Sequence, residues 1–94
     1  MKDYNHAMVI AVSNILIIGD NEVSVTCDIE ELKIGREGLN GCIKVVKENN
    51  NTVKEAILND ARDAVTRKIW RLNNGKSKSP ACDDKIKLAF ANLA

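Results

Sequence analysis

Several residue types are scarce in this sequence, which holds one proline, one histidine, five glycines and 3% aromatic residues in 94 positions. So little proline and glycine excludes collagen-like and proline-rich chains, and so few aromatics exclude aromatic repeats. An excess of one charge sign is also missing, because the net charge is only +1. Attraction of the whole molecule to nucleic acid or to a membrane is therefore not indicated. Hydrophobic residues at 45% and charged residues at 29% predict one globular domain over residues 1–94.

The sequence also shows no pattern typical of a secretory leader or a membrane span. Residues 1–6 carry acidic and polar groups where a basic leader would stand. The longest apolar stretch, residues 7–18, is interrupted by Ser13 and Asn14 and is too short to cross a bilayer. The sequence contains three cysteines at wide spacing, and an odd number is not typical of a disulfide-linked secreted domain. We expect a cytoplasmic protein with reduced thiols and no membrane partner.

Metal-binding and catalytic motifs are sparse. A four-ligand zinc site would need every candidate in the chain and lacks the close ligand pairs of structural zinc sites. Its ligands would be His6, Cys27, Cys42 and Cys82. Cys42 would be a nucleophile only if the fold brought His6 to it. The nucleophile elbow, P-loop, dinucleotide and zinc-protease motifs are absent. We therefore expect no metal, no cofactor and no enzymatic activity.

The first part of the chain predicts a β-hairpin. Residues 7–18 are rich in β-branched side chains and end at Gly19-Asp20-Asn21, which is a turn signal. Apolar and polar residues then alternate over 23–28, as in a half-buried strand. A helix is the alternative for the first half, and its apolar face would hold Tyr4, Met8, Ala11, Ile15 and Ile18. The β-branching and the turn favour the strand.

Residues 28–50 permit two interpretations. Asp28-Ile29-Glu30-Glu31 resembles a capping box, which predicts a short helical turn. If the helix continued, one face would hold Leu39, Cys42, Ile43 and Val46. The glycines of this stretch favour turns, because each weakens a helix by about 1 kcal/mol. They are Gly35, Gly38 and Gly41. We favour a short strand over 42–46 that pairs with 32–34.

The last part of the chain predicts two helices. Thr52 as N-cap and Glu55 three residues later form a capping box, and an apolar stripe at helical spacing follows over 57–72. Asn73-Asn74-Gly75 ends this helix. Ser79 is the predicted cap of a last helix, with Pro80 as its first residue; the apolar face of this helix holds Cys82, Ile86, Ala89, Phe90 and Leu93. The predicted fold class is α+β: a small antiparallel β-sheet (an N-terminal hairpin or meander) followed by two C-terminal α-helices packed on one face.

Charge is unevenly distributed along the chain. Residues 20–37 hold six acids and two cations, whereas residues 62–78 hold six cations and one acid. A basic helix end suits phosphates or an acidic protein, although cations there also favour the helix dipole without any partner. Trp70 lies in this stretch, away from the apolar stripe. If exposed it would anchor a partner; we slightly favour packing beneath the last helix, against Ile86 or Phe90.

These features predict a non-enzymatic binding protein, a regulator or inhibitor of a larger protein or nucleoprotein assembly. Compact chains of this kind include accessory proteins of phages and mobile elements. The alternative is nucleic-acid binding through the same surface, and a small enzyme is the third hypothesis. The candidate partner-binding residues are Arg62, Arg67, Lys68, Trp70, Arg71, Lys76 and Lys78. A homodimer is also expected to be accessible, because a small domain with unpaired strand edges buries little surface alone.

Overall fold

The chain folds mainly as α-helices, as a computed structural model of residues 2–75 and 80–93 shows. In chain order the elements are α1 (Lys2–Ile15), β1 (Leu16–Gly19), β2 (Glu22–Val25), α2 (Ile29–Glu48), α3 (Thr52–Asn73) and α4 (Pro80–Leu93). Each helix packs on the next one, and α4 also contacts β2. The predicted α+β class is therefore wrong: the sheet is one two-stranded hairpin, placed after a first helix and followed by three more. No helix in the described ranges is long and apolar enough to cross a bilayer.

The strand predicted over residues 7–18 is helical as far as Ile15. Tyr4, Ala7, Ala11 and Ile15 are buried, so the apolar residues recur at helical spacing. This periodicity, and not the β-branched residues, determines the structure of the stretch, because β-propensity is a weak preference that packing overrides. The strand β1 begins only at Leu16 and ends at Gly19.

The strands predicted over 32–34 and 42–46 are also wrong, because the whole region is α2. Its glycines do not form turns but lie against α1. A Cβ atom on Gly38 would stand 2.7 Å from both the backbone nitrogen of Ala11 and the backbone oxygen of Ala7. The missing side chain therefore allows two helices to approach closely, and that contact compensates for the low helix propensity of glycine.

The predicted turn at Gly19-Asp20-Asn21 is confirmed. β1 and β2 pair antiparallel, with Leu16 opposite Val25 and Gly19 opposite Glu22. Asn21 has a φ of 62°, a left-handed conformation that asparagine tolerates better than most residues.

The starts of α2 and α3 lie at or next to the predicted capping signals. Asp28 caps α2, because its carboxylate accepts hydrogen bonds from the backbone N–H groups of Glu30 and Glu31. Asn51, not the predicted Thr52, caps α3: its side chain accepts from the backbone N–H of Lys54. In α4 the predicted apolar face is buried at Cys82, Ile86, Ala89 and Phe90. The predicted cap Ser79 lies outside the described residues.

Candidate functional site

The C-terminal half of α3 presents Trp70 to solvent. Its side chain is 60% exposed. The packing slightly favoured from the sequence is therefore wrong, because Ile86 and Phe90 are buried in the core without it. At 100° per residue, Trp70 points about 160° away from Leu72 on the core-facing stripe. Arg67 is exposed and Arg71 is half-buried, so two arginines flank the indole along the helix.

Lys68, a predicted binding residue, is buried and does not reach the surface. Only 2% of its side chain is exposed, and Nζ lies 2.6 Å from a carboxylate oxygen of Asp83 in α4. Nζ also donates to the backbone oxygen of Val25, 3.5 Å away. This cation connects α3, α4 and β2. Its charge is used inside the molecule and is not available to a partner.

Arg62, another predicted binding residue, has a side chain that reaches toward α2. Its Nη1 donates to the side-chain oxygen of Asn40 in α2 at 3.4 Å, and its Nε lies 3.9 Å from Asp63. The contact with Asn40 links the side chain to α2, whereas Asp63 is its neighbour in α3. The other two predicted cations, Lys76 and Lys78, lie outside the described residues.

An open groove of about 430 Å³ lies beside Trp70. We name its lining the Trp70 surface, formed by Thr66, Arg67, Trp70, Arg71 and Cys82. The Nε atom of Arg71 is buried and has no hydrogen-bond partner within residues 2–75 and 80–93. An unpaired buried donor costs roughly 1–3 kcal/mol. The groove thus combines an apolar ring and two guanidinium groups.

A second depression, of about 270 Å³, continues along the seam between α3 and α4. Arg67 lines both depressions, so they meet at its side chain. The second one is mixed in charge and partly apolar, with the lining Ile57, Asp60, Asp63, Arg67, Lys85, Leu88, Ala89 and Asn92. Leu88 is 63% exposed. The sequence did not indicate that acidic side chains and residues of α4 line this depression. The spacing of three and four residues between Asp60, Asp63 and Arg67 does place these three on neighbouring positions of one helix.

The candidate zinc ligands are not assembled. Within the described residues, no group of three or more His, Cys, Asp and Glu side chains could hold a metal ion. Cys42 is buried, and its thiol faces the backbone oxygen of Tyr4 at 3.7 Å, whereas His6 is exposed. Burial raises the pKa of Cys42 to about 11, so the thiol stays protonated near neutral pH and is a poor nucleophile. Burial, together with the neighbouring Cys42, also raises the pKa of Tyr4.

Comparison with protein-family models, curated proteins and solved structures finds no match to this chain. The function of the Trp70 surface is therefore inferred from its own geometry and charge.

Proposed function

We propose that this chain is a non-enzymatic binding protein that docks on a larger protein through the Trp70 surface and thereby regulates or inhibits it. The observation that carries the proposal is an indole 60% exposed, flanked by two arginines and bordering a groove. Tryptophan and arginine are the residues most enriched at the energetic centres of interfaces. The three free cysteines suit a reducing compartment, and we place the protein in the cytoplasm.

The chemistry of the groove selects an acidic segment that also carries an apolar side chain. A carboxylate from the partner would accept from the guanidinium groups of Arg67 and Arg71, which both line the groove. An apolar side chain from the partner would cover the face of Trp70 and exclude water from these charged hydrogen bonds.

The mixed charge of the neighbouring depression favours a protein over a nucleic acid. Asp60 and Asp63 line the seam next to Arg67. A phosphate backbone is uniformly negative and would be repelled by these carboxylates. The internal pairing of Lys68 removes a further cation from the surface. A protein segment can place its own cations opposite Asp60 and Asp63 while its acidic residues reach the arginines.

The test uses the full chain as bait in a nuclease-treated lysate of its native host, followed by purification of the captured protein. Trp70→Ala is expected to raise the dissociation constant for that protein by about 30-fold or more, since a central indole contributes at least about 2 kcal/mol. Isothermal titration calorimetry measures the two affinities.

The matched control is Val53→Ala. Val53 is 71% exposed on the same helix, about 25 Å along the axis from Trp70, and its substitution is expected to leave the affinity unchanged. Equal affinities of the wild type and the Trp70→Ala variant would contradict the proposal. Capture that disappears with nuclease, with an affinity that falls steeply as salt rises, would instead support nucleic-acid binding.

A further inference from the structure

The outer edge of β1 is apolar and unprotected. Ile17 is 55% exposed and Ile18 is 70% exposed, and the strand from Leu16 to Gly19 contains no charged residue and no proline. Natural proteins usually protect such an edge with lysine, proline, a bulge or a covering element. β2, by contrast, carries Glu22 and packs against α4. Within the described residues, β2 is the only strand that pairs with β1.

The backbone of this edge is directed outward at two positions. The N–H of Thr26 donates to the carbonyl of Ile15 at 2.9 Å, so these two residues form a hydrogen-bonded pair at the base of the hairpin. Hydrogen-bonded and non-hydrogen-bonded pairs alternate along an antiparallel ladder. The register then makes Leu16 and Ile18 members of non-hydrogen-bonded pairs, opposite Val25 and Val23. The carbonyls of both residues and the N–H of Ile18 therefore point away from β2, whereas the N–H of Leu16 closes the last turn of α1.

We propose that β1 pairs antiparallel with β1 of a second copy of this chain about a two-fold axis. With Ile17 of the two copies opposite each other, Leu16 of each copy faces Ile18 of the other. The Ile18 N–H of each copy then donates to the Leu16 carbonyl of the other. The product is a four-stranded sheet in the order β2, β1, β1 and β2, in which Ile17 packs against its equivalent and each Ile18 lies beside a Leu16.

A second copy fits this edge because the edge is complementary to itself. The same strand supplies the donor, on Ile18, and the acceptor, on Leu16, as an isologous interface demands. Asp20 in the turn and Glu22 at the start of β2 are acidic and exposed. An antiparallel arrangement puts the two turns at opposite ends of the paired strands, so these carboxylates do not face one another. The edge is separate from the Trp70 surface, so the dimer does not depend on the proposed docking function.

Sedimentation equilibrium over a range of concentrations tests the proposal on the full chain. The wild type is expected to show a reversible monomer–dimer equilibrium. Ile18→Lys introduces the charge that natural edge strands use for protection and is expected to raise the dimer dissociation constant at least about tenfold. Val53→Lys adds the same charge at a position 71% exposed, compared with 70% for Ile18, and is expected to leave the constant unchanged.

Amide hydrogen exchange provides a second measurement that does not depend on a variant. The Ile18 amide is expected to exchange slowly at concentrations where the dimer forms and rapidly on dilution, because its N–H is bonded only across the interface. A wild type that stays monomeric at millimolar concentration would overturn the proposal. Dissociation constants of Ile18→Lys and Val53→Lys that equal each other, whether unchanged from the wild type or raised, would also overturn it. A dimer in which the Ile18 amide still exchanges rapidly would overturn it as well.

Discussion

Asp83→Ala is expected to lower the free energy of unfolding by about 3 kcal/mol, because it leaves the buried ammonium of Lys68 without its counter-ion. Nζ lies 2.6 Å from the Asp83 carboxylate, and the Lys68 side chain is only 2% exposed. After the substitution, its remaining acceptor in the described structure is the Val25 carbonyl at 3.5 Å. Urea denaturation followed by far-ultraviolet circular dichroism measures the change.

Two control variants separate the buried charge from other effects of the substitution. Asp84→Ala removes the adjacent carboxylate, which is 77% exposed and lies 3.9 Å from Lys87, and should change stability by less than about 0.5 kcal/mol. Lys68→Met gives a side chain of similar length without the charge. The Asp83 carboxylate that remains is 30% exposed and can be hydrated, so the loss in free energy of unfolding should be well below that of Asp83→Ala. Equal losses for Asp83→Ala and Asp84→Ala would show that the pair does not stabilise the fold.

Gly38→Ala is expected to destabilise the protein by about 2 kcal/mol, although alanine is the better helix former. The new methyl group would lie 2.7 Å from two backbone atoms of α1, on Ala7 and Ala11, and backbone atoms cannot rotate away as a side chain can. A clash with backbone atoms lies at the upper end of the roughly 1–3 kcal/mol that overpacking costs, and the gain in helix propensity offsets about 1 kcal/mol of it. The midpoint of urea denaturation should fall while its slope stays unchanged.

Gly41→Ala on the same helix is the matched control. Its methyl group would meet only the Cβ atom of Ala7, at 3.0 Å, a tight contact that a small movement relieves. We expect it to change stability by less than about 1 kcal/mol, because the propensity gain and the contact nearly cancel. If Gly38→Ala lowered the free energy of unfolding no more than Gly41→Ala does, the close approach of α1 and α2 would be wrong.

The contrast between α3 and α2 shows how far the sequence predicts this fold. α3 was predicted because local features agree: a polar cap, an apolar stripe at helical spacing and an Asn-Asn-Gly stop. In α2 the local features disagree, because its glycines weaken a helix in isolation. Their role depends on Ala7 and Ala11, which lie far away in the sequence and reach Gly38 only after α1 and α2 pack. Such a contact has no local signature.

The candidate site was likewise predicted only in part. The helical angle of Trp70 indicates exposure, yet the small number of aromatics favoured the core, and the angle proved to be the better guide. Lys68 belongs to the same basic stretch as Arg67 and Arg71. Its burial depends on Asp83, which follows a connection between two helices whose packing the sequence does not specify. Charge counted along a chain does not distinguish a cation paired internally from one that is free to bind.

Trp70 is the only tryptophan, so its fluorescence directly tests whether the proposed anchor faces solvent. In the native protein, acrylamide and iodide are expected to quench the emission nearly as well as in the unfolded chain. Iodide should quench more strongly than caesium at equal ionic strength, because Arg67 and Arg71 attract the anion. Emission that resists all three quenchers until denaturant is added would place the indole in the core and contradict the Trp70 surface.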